Sequence, residues 1–164
     1  MASTDDIRQL RQQTGAGVMD CKRALDEVDG DMDRAAELLR QQGIAAAEKK
    51  EGRVAAQGLV ESYIHFSGRI GVLVEVNCET DFVARTDDFK QLVKDIAMQI
   101  AWSAPGYIGT ETDIPEGTPN EAVLLKQPFV RDESRTIQDR VTESIAKVRE
   151  NIVVRRFARY ELGV

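Results

Sequence analysis

Few residues in this chain are suited to chemistry. It has one histidine, His65, and two cysteines, Cys21 and Cys78. A thiol and an imidazole can form a nucleophile–base pair, and His65 and Cys78 lie on neighbouring strand-like runs. Alternation sets them apart, because Cys78 follows the apolar face of its run and His65 the other face. One histidine and two distant cysteines also fall short of a structural zinc set. Asp29-Gly30-Asp31-Met32-Asp33 begins like a calcium loop. That loop needs Gly at its sixth position and Glu at its twelfth, where this chain has Arg34 and Arg40. These acids instead suit the positive end of a helix dipole, as do the adjacent acids Asp87-Asp88. No GxxxxGK[ST] or GxGxxG loop is present to cradle a phosphate. No catalytic residue, metal set or cofactor site emerges, which points to a chain that works by binding another protein.

The segment that stands out is Cys78-Glu79-Thr80-Asp81-Phe82-Val83-Ala84-Arg85-Thr86-Asp87-Asp88-Phe89. It leaves the apolar run Ile70 to Val76 and enters a helical pattern. Asp81 and Phe82, an acid and a large aromatic, stand side by side outside any apolar stripe. Taken alone, the plainer reading is that Phe82 caps the end of the sheet; the other is that it is held out for a partner.

The bulk numbers narrow the class. The 164 residues are 42% hydrophobic and only 5% aromatic, so the core is built mainly from Leu, Ile, Val and Ala. That length suits one ordinary domain with a small extra module. A net charge of -6 gives no support to nucleic-acid binding, which needs a Lys/Arg excess. No run is long and apolar enough for a bilayer, and the start of the chain lacks a signal pattern. Both cysteines are therefore expected to be reduced and buried, and the protein to be cytoplasmic, with no membrane partner.

Around these residues the elements are readable. Residues 1–43 form a three-helix module. Ser3, Thr4 or Asp5 caps a first helix carrying Ile7 and Leu10, and Gly15 to Gly17 reverse the chain. A second helix carries Val18, Cys21, Ala24, Leu25 and Val28, and Gly30 ends it. Asp31 caps a third, with Ala35, Leu38 and Leu39 inward and Gln42-Gly43 closing it. Adjacent Val18 and Met19 cannot both face one small core, and Met is an adaptable contact residue. Residues 44–56 are rich in Ala and charge and read as a linker, with Lys49 and Lys50 a small basic spot.

Residues 57–164 predict an α+β core. Gln57–Phe66 and Arg69–Cys78 form a hairpin about Ser67-Gly68. Val60, Ile64 and Phe66 share one face of the first strand, and Ile70, Val72, Val74 and Val76 one face of the second. Both sets are read as the buried side. A helix over 87–103, capped by Thr86, carries Phe89, Leu92, Val93, Ile96, Ala97, Ile100 and Ala101. A long loop precedes a strand at 123–130 that Pro128 interrupts. A helix over 135–149 and a final strand over 152–162 complete the order ββαβαβ, an antiparallel sheet covered by helices.

Two long segments then become specific. Thr14-Gly15-Ala16-Gly17-Val18-Met19-Asp20-Cys21-Lys22-Arg23-Ala24-Leu25 and Glu75-Val76-Asn77-Cys78-Glu79-Thr80-Asp81-Phe82-Val83-Ala84-Arg85 resemble the two signature segments of the translation elongation factor Ts family. Gln127-Pro128-Phe129-Val130 and Glu150-Asn151-Ile152-Val153-Val154-Arg155-Arg156-Phe157 are similar to further segments of it. The resemblance implies a guanine nucleotide exchange factor for the GTPase elongation factor Tu, without covalent chemistry or a cofactor. It also implies a ubiquitin-associated-like N-terminal module. Arg11, Val18, Met19 and Lys50 match docking positions, with His65 at a further contact position. Thr80, Asp81, Phe82 and Val83 match the segment that dislocates the magnesium and nucleotide site. Within that segment, Cys78, Val83 and Phe89 anchor the chain while Asp81 and Phe82 are held out. With one core unit, the chain resembles short members of the family, in which two chains pair through their sheets, so a homodimer is expected. The competing reading is an adaptor of ubiquitin-associated type without exchange activity; an enzyme using Cys78 comes third.

Overall fold

The computed structural model describes residues 2–65 and 67–164 and divides into two compact units. One comprises the chain up to Gly52 together with Thr142–Asn151; the other comprises Arg53–Val141 and Ile152–Val164. Three helices, α1 (Thr4–Thr14), α2 (Val18–Glu27) and α3 (Met32–Glu48), build the first unit. Ser3 caps α1 in a reciprocal box: its hydroxyl accepts from the Asp6 amide at 3.0 Å, and the Asp6 carboxylate accepts from the Ser3 amide at 3.2 Å. Gly15, at φ 70°, ends the helix in the left-handed region. Asp31 caps α3 by accepting from the Arg34 amide at 3.0 Å. That is the capping role expected of the Asp29–Asp33 acids. Leu10, Cys21, Ala24, Leu25, Val28 and Ala35 form the core of this unit.

Gln42-Gly43 does not close the third helix, which runs on to Glu48. The reason is packing from far along the chain. Gly43 is buried, and a Cβ there would lie 3.8 Å from Cβ of Ala146, in helix α6 (Ile137–Val148). A buried glycine that packs against another helix gains contacts that offset its poor helix propensity of about 1 kcal/mol.

The second unit holds a three-stranded antiparallel sheet in the order β1 (Gln57–Ile64), β2 (Ile70–Cys78), β5 (Val153–Glu161). Helix α5 (Asp87–Ser103) packs on β1 and β2 and buries Phe89, Leu92, Val93, Ile96, Ala97 and Ile100. Thr86 is its N-cap, accepting from the Phe89 amide at 3.3 Å. At the other end Arg159 on β5 donates to the Ala101 carbonyl at 3.0 Å, satisfying one of the helix's last orphan acceptors. No described helix is long and apolar enough to cross a membrane.

The sheet corrects the expected burial. Val72, Val74 and Val76 face the core, and their partners across the ladder are Tyr63, Glu61 and Leu59. Val60 and Ile64 therefore lie on the opposite face, where they are 68% and 63% exposed. Phe66, assigned with them in sequence, lies outside the described residues. Strict alternation fails on β5 too. The register shifts between Glu75 and Val76, so Arg156 pairs with Glu75 but Val154 pairs with Val76. Arg155 is the extra residue of a bulge, and it lets both Val154 and Phe157 turn toward the core face.

The strand expected at 123–130 is also shorter. Residues Asn120–Ala122 and Leu124–Lys126 form 3-10 turns, Val123 between them makes an isolated parallel bridge with Tyr107, and β3 (Pro128–Phe129) pairs with β4 (Asp132–Thr136) in a separate hairpin. Backbone bonds between Ala122, Leu124 and Leu125 and residues 106–108, together with side-chain amides, replace the ladder here. Gln127 Nε2 donates to the Glu121 carbonyl at 2.6 Å, while buried Gln99 donates to the Pro128 carbonyl at 3.1 Å and accepts from the Val130 amide at 2.9 Å. Backbone groups satisfied this way need no neighbouring strand.

Gly58 lies opposite Asn77 in the β1–β2 ladder. At φ 144° a Cβ would meet the Val76 carbonyl oxygen and lie 2.7 Å from Asn77 Cα. Both objections are to backbone, which cannot rotate away. Gly58→Ala is expected to lower unfolding stability by about 3 kcal/mol, combining overpacking with a strained backbone. Chemical denaturation checks this, and a loss under about 1 kcal/mol would mean that the strands separate cheaply.

Candidate functional site

The joint between β2 and α5 is built from short polar contacts. β2 ends on Cys78, wholly buried, whose thiol donates to the Thr80 carbonyl at 3.1 Å. Thr80 is extended, and its hydroxyl accepts from the Val83 amide at 3.3 Å, capping the one-turn helix α4 (Asp81–Ala84). The Thr86 hydroxyl donates to the Val83 carbonyl at 2.7 Å while also capping α5. Two threonines thus clamp a single turn that could not persist alone, since one turn carries the nucleation cost without propagation.

The clamp decides where each side chain goes. Ala84 is buried and Val83 half-buried, so they face the body of the unit. Asp81 and Phe82 point away, and the Phe82 side chain belongs to a residue 82% exposed. It does not cap the sheet. Leaving that ring in water forgoes about 2 kcal/mol of burial. Asp81 is held in a defined place by Arg85, one turn on, at 2.8 Å.

The remaining sequence-assigned residues fall in two groups. In the first unit, Val18 and Met19 open α2, 49% and 63% exposed, and Arg11 is exposed in the last turn of α1. Lys50 follows the end of α3 and is half-buried. In the second unit, His65 sits at the hairpin turn, its Nδ1 3.5 Å from the Tyr63 hydroxyl. Cys78 pairs with Gln57 at the other end of the same ladder. His65 and Cys78 are therefore roughly 25 Å apart at about 3.3 Å per residue, too far for a nucleophile and its base. Cys21 is equally unsuited to chemistry, because burial pushes its thiol up against the opposing hydrogen bond from Thr14. Among the described residues, no three His, Cys, Asp or Glu side chains cluster to hold a metal ion.

One feature escaped the sequence reading. The outer face of the three-stranded sheet is apolar at one end. Ile64, Gly71 and Tyr160 lie abreast, next to Ser62, Leu73 and Ala158. Ile64, Leu73 and Tyr160 are more than half exposed, as are Val60 and Leu162. The patch ends at Glu75, whose carboxylate accepts from Arg156 at 2.7 Å and lies 3.6 Å from Arg155. The Arg156 hydrogen bond, aided by charge from both arginines, holds Glu75 below the usual carboxylate range despite its partial desolvation. The available signal was the register, which alternation alone does not carry.

The sequence model of the family described as "Elongation factor TS" matches residues 44–119 and 79–164. The chain is similar to "Elongation factor Ts" of Carboxydothermus hydrogenoformans, with 49% identity over 196 aligned positions that cover 99% of this chain and 90% of that protein. It is 48% identical to the same factor of Moorella thermoacetica, covering 99% and 96%. It is 50% identical to that of Coprothermobacter proteolyticus, covering 96% of each. Alignments of 196 positions against a chain of 164 residues mean that these relatives carry internal residues with no counterpart here.

The capping of α4 is directly testable. Thr80→Ala removes the hydroxyl that accepts from Val83, worth about 1 kcal/mol. Hydrogen exchange of the Val83 amide is expected to quicken by about fivefold, the equivalent of that energy, while amides of α5 keep their protection. Unchanged exchange at Val83 would show that Thr86 alone holds the turn.

Proposed function

The chain belongs to the elongation factor Ts family of translation elongation factors, and from this we propose that it is a guanine nucleotide exchange factor. It binds the GTPase elongation factor Tu in the cytoplasm and promotes release of GDP. The observation that carries this reading is an aromatic ring, Phe82, 82% exposed beside Asp81 on a turn clamped at both ends. A clamped turn presents the ring already ordered, so binding does not have to order it.

The work required can be sized. Factor and GDP must weaken each other's binding to the GTPase by one common factor, because coupling between two ligands is reciprocal. Weakening GDP by ~10³ needs ~4 kcal/mol of coupling. Insertion of Phe82 into the GTPase supplies about 2–3 kcal/mol through burial of the ring. Asp81 supplies the rest by disturbing the groups around the GTPase's magnesium. Thr80 and Val83 shape the turn that carries both. Arg11, Val18 and Met19 dock the N-terminal module, with Lys50 and His65 as further contacts. Protein binding does all of this, with no bond made or broken in the factor and no cofactor.

A second copy of the chain is proposed to cover the outer sheet face. Val60, Ile64, Leu73, Tyr160 and Leu162 make an exposed apolar patch on a regular surface, the kind that marks an interface. A two-fold axis would set each patch on itself.

Two measurements test these proposals. Phe82→Ala removes an exposed ring, so the melting temperature is expected to stay within a few degrees, whereas stimulated release of labelled GDP from elongation factor Tu falls at least tenfold. Undiminished release would remove Phe82 from the mechanism. Leu73→Glu places a charge at the centre of the patch, and sedimentation at micromolar concentration is expected to change from dimer to monomer. A wild-type chain that sediments as monomer would refute the pairing.

A further inference from the structure

Asp81 carries a negative charge on a protein whose net charge is already -6. On the exchange reading, on which this inference rests, it approaches a bound nucleoside diphosphate, whose phosphates repel it. The structure supplies a counterweight. Arg85 Nη2 lies 2.8 Å from Asp81 Oδ2 at i,i+4 spacing, with the acid N-terminal to the base, the favourable order on a helix. The backbone fixes this spacing: the Arg85 amide donates to the Asp81 carbonyl at 3.2 Å, and Thr86 closes the turn behind it. Both side chains are open to solvent, Arg85 78% and Asp81 58% exposed, so the guanidinium travels with the carboxylate into any interface that Phe82 enters.

We infer that Arg85 is the positioning and charge-balancing residue for Asp81. It aims the carboxylate along the turn and offsets its repulsion from the phosphates of a nucleoside diphosphate, and it acts through Asp81 rather than by its own contact. An exposed pair of this kind is weak and is screened by salt within a Debye length of about 10 Å at 0.1 M. The role therefore concerns encounter with the GDP-bound partner and not the fold, for which so exposed a pair is a minor element.

The test is a double-mutant cycle on stimulated GDP release from elongation factor Tu, using wild type, Arg85→Met, Asp81→Asn and the double variant. Circular dichroism confirms that all four are folded. Arg85→Met is expected to raise KM for the GDP-bound GTPase about threefold with kcat unchanged, the size allowed to an exposed pair. The increase is expected to vanish at 1 M salt and in the Asp81→Asn background, and Arg85→Lys is expected to recover most of it. An equal effect in the Asp81→Asn background, an effect insensitive to salt, or no effect would overturn the inference while leaving the exchange reading in place. A wild-type chain that fails to stimulate release would instead overturn the exchange reading and this inference with it.

Discussion

Packing of β2 against α5 is the constraint on which the second unit depends. β2 is the one described strand paired on both sides, and it gives Val72, Val74, Val76 and Cys78 to the core. α5 answers with Phe89, Leu92, Val93, Ile96 and Ile100, all essentially inaccessible. Neither element can move without opening that layer, and apolar burial of this kind is the dominant favourable contribution to a domain. Residues 79–86 must join two fixed ends in a few residues, and that short span sets the geometry of the candidate site.

The joint meets this demand with hydrogen bonds because it has almost no core of its own. Thr80, Thr86 and the Cys78 thiol hold it from three sides, and Ala84 is its only buried side chain. Each such bond is modest, about 1 kcal/mol net. Together they leave Asp81 and Phe82 nowhere to go but outward. An exposed ring is a local loss for folding, and it persists because the surrounding contacts over-determine the backbone that carries it. Sites that bind partners commonly show this local cost on a rigid frame.

Much of this was legible from local chemistry. Ser3, Asp31 and Thr86 each cap the helix they were expected to cap, and Gly15 ends α1 in the left-handed region. These are short-range rules in which the cap and its helix lie within four residues. The misses share a different origin. Gly43 stays helical because Ala146 packs beside it, and residues 120–130 form no continuous strand because residues 106–108 bond the backbone of Ala122, Leu124 and Leu125 while Gln99 takes up that of Pro128 and Val130. Both depend on residues distant in sequence, and propensity carries no such information. The candidate site was legible as a composition, an acid and an aromatic out of pattern, but local reasoning preferred Phe82 inside. The α4 turn and the Arg85 contact were not anticipated at all.

Sequence alone determined the kinds of most elements, many of their ends, and the family resemblance carried by the segments around Val18 and Phe82. Tertiary structure decided which side of the sheet is covered. A period of two tells which residues share a face, but both faces of β1 carry apolar side chains, and the face expected to be buried, that of Val60 and Ile64, is the exposed one. Only the register of β1 on β2, which sets Val60 opposite Glu75 and Ile64 opposite Gly71, turns Val60 and Ile64 to the outside. The same holds for Phe82. Its neighbours in sequence allowed it either place, and the two threonine caps, set by where β2 and α5 must lie, put it in water.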